Sequence, residues 1–332
     1  MYDAIIIGAG PAGCRTAELL ARGGKKVLVI EEHAKIGEPI QCTGLISAKL
    51  LDIHPDLPKN IIQNKIKTAR FFAPNGANFE LSVKKPALVV DRAKLDQWLA
   101  SKARKAGAKF KLNTNFVSYN MEKNSIKVKT NKGSFETKYL VGADGPLSKV
   151  REQMELDVRY HQQIFAQIDL RYQQTFFQKT RIVKRPPEAQ LNFGGEYFNW
   201  CVPFSKTKAR IGGPSKEQKF KGTSGGVVRY GLLKTAQQGR VFLVGDAALQ
   251  VKPFSCGGVI YGQIAAQCLS EAILEEKDYD ELWKQKLEKP IKRGLHLCLF
   301  YKLPNFLKNF AFWIAIKTKL TKTLEKLDMD FY

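Results

Sequence analysis

Tyr2-Asp-Ala-Ile-Ile-Ile-Gly8-Ala-Gly10-Pro-Ala12-Gly13-Cys-Arg-Thr-Ala17 opens the chain. The run Ala4 to Ile7 is short, unbroken and apolar, as in a strand buried in a parallel sheet. It runs directly into Gly-x-Gly-x-x-Gly, and each glycine has its own steric reason. Gly8 permits the tight turn, Gly10 lets backbone approach a pyrophosphate, and Gly13 lets the following helix pack close to the strand. The helix that begins there turns free N–H groups and the positive end of its dipole toward the phosphates. A second apolar strand, Val27 to Ile30, ends at Glu31, where an acidic side chain meets ribose hydroxyls. The glycine pattern alone is weak. Strand, turn, helix, strand and acid in this order predict a Rossmann-like dinucleotide site.

Outward from that site, residues 66 to 83 read as a β-hairpin with Asn75-Gly76 at its turn. Leu88 to Val90 reads as a short strand leading into an amphipathic helix, with Leu95, Trp98 and Leu99 on one face and Gly107 as its stop. A Lys-rich meander follows, turning at Asn131-Lys-Gly133, and Tyr139 to Val141 returns to the main sheet. Residues 158 to 213 are β-rich and aromatic and read as a second, inserted sheet. Val241 to Val244 is another buried strand, and the chain beyond it is mostly helical.

The 332 residues suffice for one large or two ordinary domains. Lys plus Arg outnumber Asp plus Glu by 54 to 31, and the resulting +23 favours anionic partners: nucleic acid, a membrane surface or a phosphorylated substrate. The plainer reading is a Lys-rich solvated surface. No recognised nucleic-acid module organises the basic residues, so nucleic acid is set aside. The six cysteines form no Cys-x-x-Cys pair and have no ligand-like His spacing, which argues against zinc or iron–sulfur and for a reducing cytosol. No signal peptide is expected ahead of the first strand.

Four motifs then fall in a telling order: the glycine loop with Glu31, Asp91-Arg92-x-x-Leu95-Asp96, Gly142-Ala-Asp144-Gly145-x-x-Ser148-x-Val150-Arg151, and Gly245-Asp246-Ala-Ala. That order resembles the FAD-dependent hydroxylase superfamily, whose fold is like that of p-hydroxybenzoate hydroxylase. Pro39-Ile-Gln-Cys42-Thr-Gly44 and Phe198-x-Trp200-x-Val202-Pro203 narrow the resemblance to the geranylgeranyl reductase family, as does Asp246 followed by Pro253 and Gly257-Gly258. Phe198 stands where that family usually has Tyr.

The resemblance implies an α/β fold with a Rossmann-like FAD-binding domain, an inserted β-sheet substrate domain and a helical C-terminal region. The FAD domain would comprise residues 1–65, 85–157 and 238–285, the β-rich substrate domain residues 66–84 and 158–237, and a basic amphipathic region residues 286–332. FAD would lie on Gly8, Gly10, Ala12, Gly13, Glu31, Glu32, Cys42, Gly44, Arg92, Asp144, Gly245, Asp246, Pro253, Gly257, Gly258 and Val259. Asp246 would fix a ribityl hydroxyl, and the Gly257-Gly258 backbone would lie against the flavin ring and stabilise charge on it. Arg92 would lie near the cofactor, or else be a surface arginine; Asp144 would brace the nucleotide loop, or else be an ordinary structural carboxylate. Cys42 would face the flavin and place the alkene or relay a proton, against the plainer reading of a small buried thiol. Phe198, Trp200 and Pro203 would line an apolar wall for a prenyl chain.

The implied reaction saturates C=C bonds of geranylgeranyl lipid chains, as in a digeranylgeranylglycerophospholipid reductase, by hydride from reduced flavin N5 and protonation of the other carbon. A monooxygenase of the same fold, acting on an aromatic or isoprenoid substrate, is the alternative. The electron donor, NAD(P)H or a ferredoxin-like protein, has no second dinucleotide fingerprint to mark it. Between Lys284 and Lys326 eleven Lys or Arg face two Glu, and apolar residues at 306, 307, 310, 313, 314, 320 and 324 recur at helical spacing. No apolar run approaches the roughly 20 residues that span a bilayer. A cytoplasmic protein held peripherally on an anionic membrane is expected, the competing reading being a helix docked on the FAD domain.

Overall fold

Ala4, Ile5 and Ile6 are fully buried, and the strand that carries them, Tyr2–Ile7, lies inside a parallel sheet. The computed structural model describes residues 1–171, 188–217, 224–318, 320–325 and 330. They fall into two units: Met1–Glu38, Ala93–Gln162 and Val227–Leu295 in the first; Pro39–Arg92, Gln163–Gly226 and His296–Tyr332, where described, in the second.

The main sheet of the first unit runs Gln237–Gln238, Val241–Leu243, Gly133–Gly142, Tyr2–Ile7, Val27–Ile30, Lys109–Lys111. All neighbours are parallel except the first pair. Ile7 pairs with Ile30 and with Gly142, and Gly142 pairs with Leu243, so four strands end level with one another. The Gly8 loop, Glu31, Ala143-Asp144 and Gly245-Asp246 follow those four ends. Ligands of open α/β sheets bind outside the carboxyl ends of the strands, so register alone gathers the four motifs at one edge.

The meander forms as expected, with Phe116–Met121 antiparallel to Ile126–Thr130 and Ile126–Thr130 antiparallel to Gly133–Gly142. Helix Arg92–Lys105 buries Leu95, Leu99, Ala100 and Ala103. It ends in a Schellman turn, Ala108 N–H donating to Ala103 O and Gly107 N–H to Arg104 O.

The sheet of the second unit runs Ser224–Gly231, Tyr160–Arg171, Lys208–Pro214, Asn199–Pro203, Ala189–Asn192, Ile62–Phe72, Asn78–Val90, Leu45–Ile46, its first two strands belonging partly to the first unit. Ala189–Asn192 pairs in parallel with Ile62–Phe72. The expected hairpin is present and turns at Gly76, whose φ of +90° suits glycine. Leu88–Val90 is not a separate strand but the far end of Asn78–Val90; a register shift between Ile66 and Thr68 lets the pairing continue. Of the inserted sheet, residues 172–187 lie outside the described residues. Ile66, Ala87, Val89, Ala189 and Val202 form a core on which Trp200 and Phe204 pack.

Helix Asn305–Lys317 lies in the C-terminal region, followed by the single turn Thr321–Leu324; Lys319 and Lys326 are outside the described residues. Among the described residues no helix is long and apolar enough to cross a membrane.

Candidate active site

The glycine loop is built by contact. Gly8 has φ +100°, and a Cβ there would overlap Ala143 O; a Cβ on Gly13 would overlap Gly8 O. Gly10 differs from both. Its φ is −72°, open to any residue, and a Cβ built on it meets nothing within 4 Å. The loop is therefore tight where the strand, helix and neighbouring loop meet, and has room where the helix Pro11–Arg22 begins.

Glu31 is buried at the end of its strand. Its Oε2 accepts from Ala9 N at 2.7 Å, and its Oε1 accepts from His33 N at 3.0 Å and contacts His33 Nδ1 at 2.7 Å. The carboxylate thus clasps the glycine loop, and Oε2, which has one partner where Oε1 has two, keeps a further lone pair for a ribose hydroxyl. Glu32 beside it is exposed.

Asp144 Oδ2 accepts from Lys149 N at 2.8 Å and from Val150 N at 3.2 Å, which fixes the loop to the short helix Lys149–Gln153. Burial raises its pKa, outweighing the hydrogen bonds that lower it. A carboxyl whose folded pKa lies above its unfolded value costs nothing where both states are protonated. The penalty appears as pH rises through the unfolded and then the folded pKa. Asp144→Asn is therefore expected to gain stability relative to the parent as pH rises from about 4 to neutrality. Paired urea titrations at the two pH values check this; a constant difference would show that the ionised carboxylate is not penalised.

Arg151 joins two of the motifs. It is buried and donates to Ala247 O at 2.6 Å and to Pro146 O at 2.6 Å, bracing the Gly245–Ala248 turn against the Asp144 loop. The segment after Asp246 is this single 3-10 turn and not the opening of a long helix. The long helix, Val259–Glu275, starts after the loop that holds Pro253 and Gly257, with Gly258 as its N-cap. A Cβ on Gly258 would overlap Asp246 Oδ1, so Asp246 and the Gly257-Gly258 segment are held together. Ala12 packs under the same turn, within 2.8 Å of a Cβ built on Gly245.

Two supports had no signature in the sequence. Gln250 Oε1 accepts from Gly245 N at 2.8 Å, its Nε2 donates to Tyr279 OH at 3.0 Å, and that hydroxyl donates to Leu243 O at 3.0 Å. Gln263 Nε2 donates to Pro11 O at 2.7 Å, tying the two helices of the site together.

In the second unit, Cys42 is half-buried and its Sγ accepts from Gly44 N at 3.4 Å. A Cβ on Gly44 would overlap Val90 O, which explains the glycine. Thr43 anchors the loop, its hydroxyl donating to Gln167 at 2.9 Å and its carbonyl accepting from Arg210 at 2.7 Å. Arg210 in turn makes a fork with Asp169, at 2.6 and 2.8 Å. Gly212, two residues along from Arg210, is paired with Trp200, and a Cβ there would overlap the indole. The Cys42 loop is thus fastened to the strand that neighbours Trp200.

Trp200 stands edge-on to Phe165 at 5.5 Å and near Phe198 at 5.8 Å, its Nε1 enclosed with no hydrogen-bond partner among the described residues. Phe198 is buried among Phe193, Tyr197 and Tyr301, and Pro203 ends the same strand. Arg92 begins its helix. A cavity of about 510 Å³, lined by residues that include Gly195, Lys216, Tyr301 and Lys308, lies wholly in this unit and touches none of the predicted site residues.

The first unit fits FAD on its own geometry. There is a space at Gly10 that a side chain would fill, an acid at the ribose position, and an Asp246 carboxylate packed on Gly258. This defines the class: a flavin-dependent oxidoreductase with a Rossmann-like sheet. Residues 1–186 match the profile of the FAD binding domain family, and the chain belongs to that family. It is 27% identical over 326 residues to a digeranylgeranylglycerophospholipid reductase of Methanosarcina acetivorans, covering 87% of this chain and 79% of the other. Its fold is that of a geranylgeranyl bacteriochlorophyll reductase-like protein from Thermoplasma acidophilum, at TM-score 0.76 and 20% identity, covering 98% and 92% of the two chains. The p-nitrophenol 4-monooxygenase of Pseudomonas putida shares the fold at TM-score 0.73 and 17% identity, covering 98% and 96%.

Proposed function

We propose that the protein saturates C=C bonds in the geranylgeranyl chains of isoprenoid lipids, with a glycerophospholipid of the kind named for its relatives as substrate. The observation that carries this is the reach of the likeness: it extends over 87% of the chain, so it takes in the aromatic second unit as well as the FAD family's own segment. When bound, reduced FAD supplies the hydride, and the electrons come from an external donor, NAD(P)H or a ferredoxin-like protein. An isolated trisubstituted alkene accepts hydride poorly, so positive charge develops at the branched carbon. Trp200 and Phe198 offer that carbon an aromatic, water-excluding wall, and an indole face attracts positive charge. With FAD bound, the Gly257-Gly258 backbone N–H groups would stabilise negative charge on its ring. The Cys42 thiol places the alkene or holds the proton for the other carbon.

Cys42→Ala is expected to slow alkene reduction at least about tenfold, the lower end of general acid–base contributions being larger still. Cys42→Ser, which keeps a polar hydrogen, should recover part of the rate, and both variants should keep their FAD. Unchanged turnover in Cys42→Ala would return this residue to a packing role. The monooxygenase reading is separated by oxygen: product formed in its absence favours the reductase, and uptake of oxygen in step with product favours the alternative.

A further inference from the structure

Helix Asn305–Lys317 has two apolar faces, and only one of them is used by the fold. On the inner face Phe312 and Ala315 are buried, and Phe312 packs at 5.1 Å from Phe79 and 5.9 Å from Phe193. Lys308 is buried on that side too, its Nζ donating to Gly195 O at 2.9 Å, and Asn309 accepts from Asn75 N at 3.1 Å. The helix is thereby fixed to the hairpin of its own unit. On the outer face Phe306 is 69% exposed, Phe310 56% and Trp313 54%, with Ile316 and Leu320 exposed beyond them. Steps of four, three and three residues place Phe306, Phe310, Trp313 and Ile316 along one stripe of the helix. Phe310 and Trp313 stack on each other at 5.8 Å, nearly parallel, and so present one flat aromatic surface.

We propose that this stripe lies in the interfacial layer of an anionic bilayer, with the helix parallel to the surface. The inference goes beyond the reaction and holds whichever double bonds are reduced. Charge decides the occupant. Between residues 296 and 326 the sequence has six Lys against one Glu, and that Glu325 uses its carboxylate on Ser82 N at 3.0 Å. Lys317 is exposed at the end of the helix, and Lys302 and Lys322 are exposed in the short turns Leu299–Lys302 and Thr321–Leu324 that precede and follow it. A second copy of a chain carrying +23 would bring like charge to this basic region, whereas anionic head groups complement it. The helix is about 20 Å long at 1.5 Å per residue, short of the ~30 Å hydrocarbon core. Exposed aromatics with flanking lysines suit a helix lying at the interface.

The test is flotation of the FAD-loaded full chain with vesicles of phosphatidylcholine alone or mixed with phosphatidylglycerol. Binding should require the anionic lipid and fall with salt, since charges are screened over about 8–10 Å near physiological ionic strength. Phe310→Ala with Trp313→Ala should lower partitioning at least about tenfold even at low salt, because burial of apolar area drives interfacial binding. Lys302→Gln with Lys317→Gln should weaken mainly the salt-sensitive part. Both double variants should keep FAD and, on detergent-dispersed lipid, the parent's rate, which separates failure here from failure of the reductase reading. Brominated lipid should quench the parent's tryptophan emission, and this quenching should largely vanish in Trp313→Phe. A parent that stays with the unbound fraction on anionic vesicles at low salt overturns the proposal. So does a parent that sediments as a dimer which Trp313→Ala converts to monomer.

Discussion

Gly10→Val protein is expected to fold and to purify colourless, stripped of FAD. The substitution is informative because the fold does not need this glycine. Its φ of −72° suits any residue, and a Cβ there has nothing within 4 Å. The expected loss of stability is limited to the poorer N-cap, about 1 kcal/mol. The valine methyl groups would instead occupy the space through which a pyrophosphate reaches the helix N-terminus. Gly13→Val is the contrasting case, since its Cβ would overlap Gly8 O and the strand–helix packing itself would fail. Flavin absorbance and a melting curve on the two variants separate these effects. Full flavin occupancy in Gly10→Val would mean that the phosphates do not pass Gly10.

Trp200→Ala carries the second large effect. The indole fills the space above Gly212 and packs on Phe165 and Phe198, so its removal leaves a cavity expected to cost about 3–5 kcal/mol. Alkene reduction should fall further than stability explains, because the same ring is the proposed wall for the developing charge. Trp200→Phe keeps an aromatic face and should retain FAD and a measurable fraction of the rate. Trp200→Leu provides the matching apolar variant without a π-face. Equal rates in the Phe and Leu variants, measured below both melting points, would show that the wall acts by exclusion of water alone.

The nucleotide half of this protein is legible in its sequence because local rules govern it. Glycines at two close approaches with an open one between them, an acid ending a strand and level strand ends are consequences of short segments read in order. Asp144 and Gly258 belong to that class, since each explains itself through a neighbour in a recognisable motif. Gln250 and Tyr279 do not. A glutamine in a loop and a tyrosine opening a helix read as surface residues, and only the tertiary fold buries both beside Leu243 O. Burial also pushes the Tyr279 hydroxyl well above the ordinary tyrosine value. In the second unit, the existence of a sheet is visible in composition but its order is not. Ala189–Asn192 pairs in parallel with Ile62–Phe72, a partner more than a hundred residues away that no periodicity announces.

The C-terminal helix shows a different limit. The apolar spacing at 306, 310 and 313 is plain in the sequence, and these are the exposed residues. The side chains that dock the helix inward are Phe312, Ala315 and Lys308, which fall off that stripe. Period identifies a helix and its faces, while the neighbours decide which face turns in.

The central claim, reduction of an isoprenoid double bond by flavin, is tested most directly under strict anaerobiosis. The FAD-loaded protein is reduced chemically, freed of excess reductant and mixed with a geranylgeranyl glycerophospholipid, while flavin absorbance and lipid mass are followed together. The account predicts that flavin reoxidises as the lipid gains two hydrogens per bond reduced, with no oxygen present. Flavin that stays reduced until oxygen is admitted, followed by a lipid that gains oxygen in place of hydrogen, would contradict it.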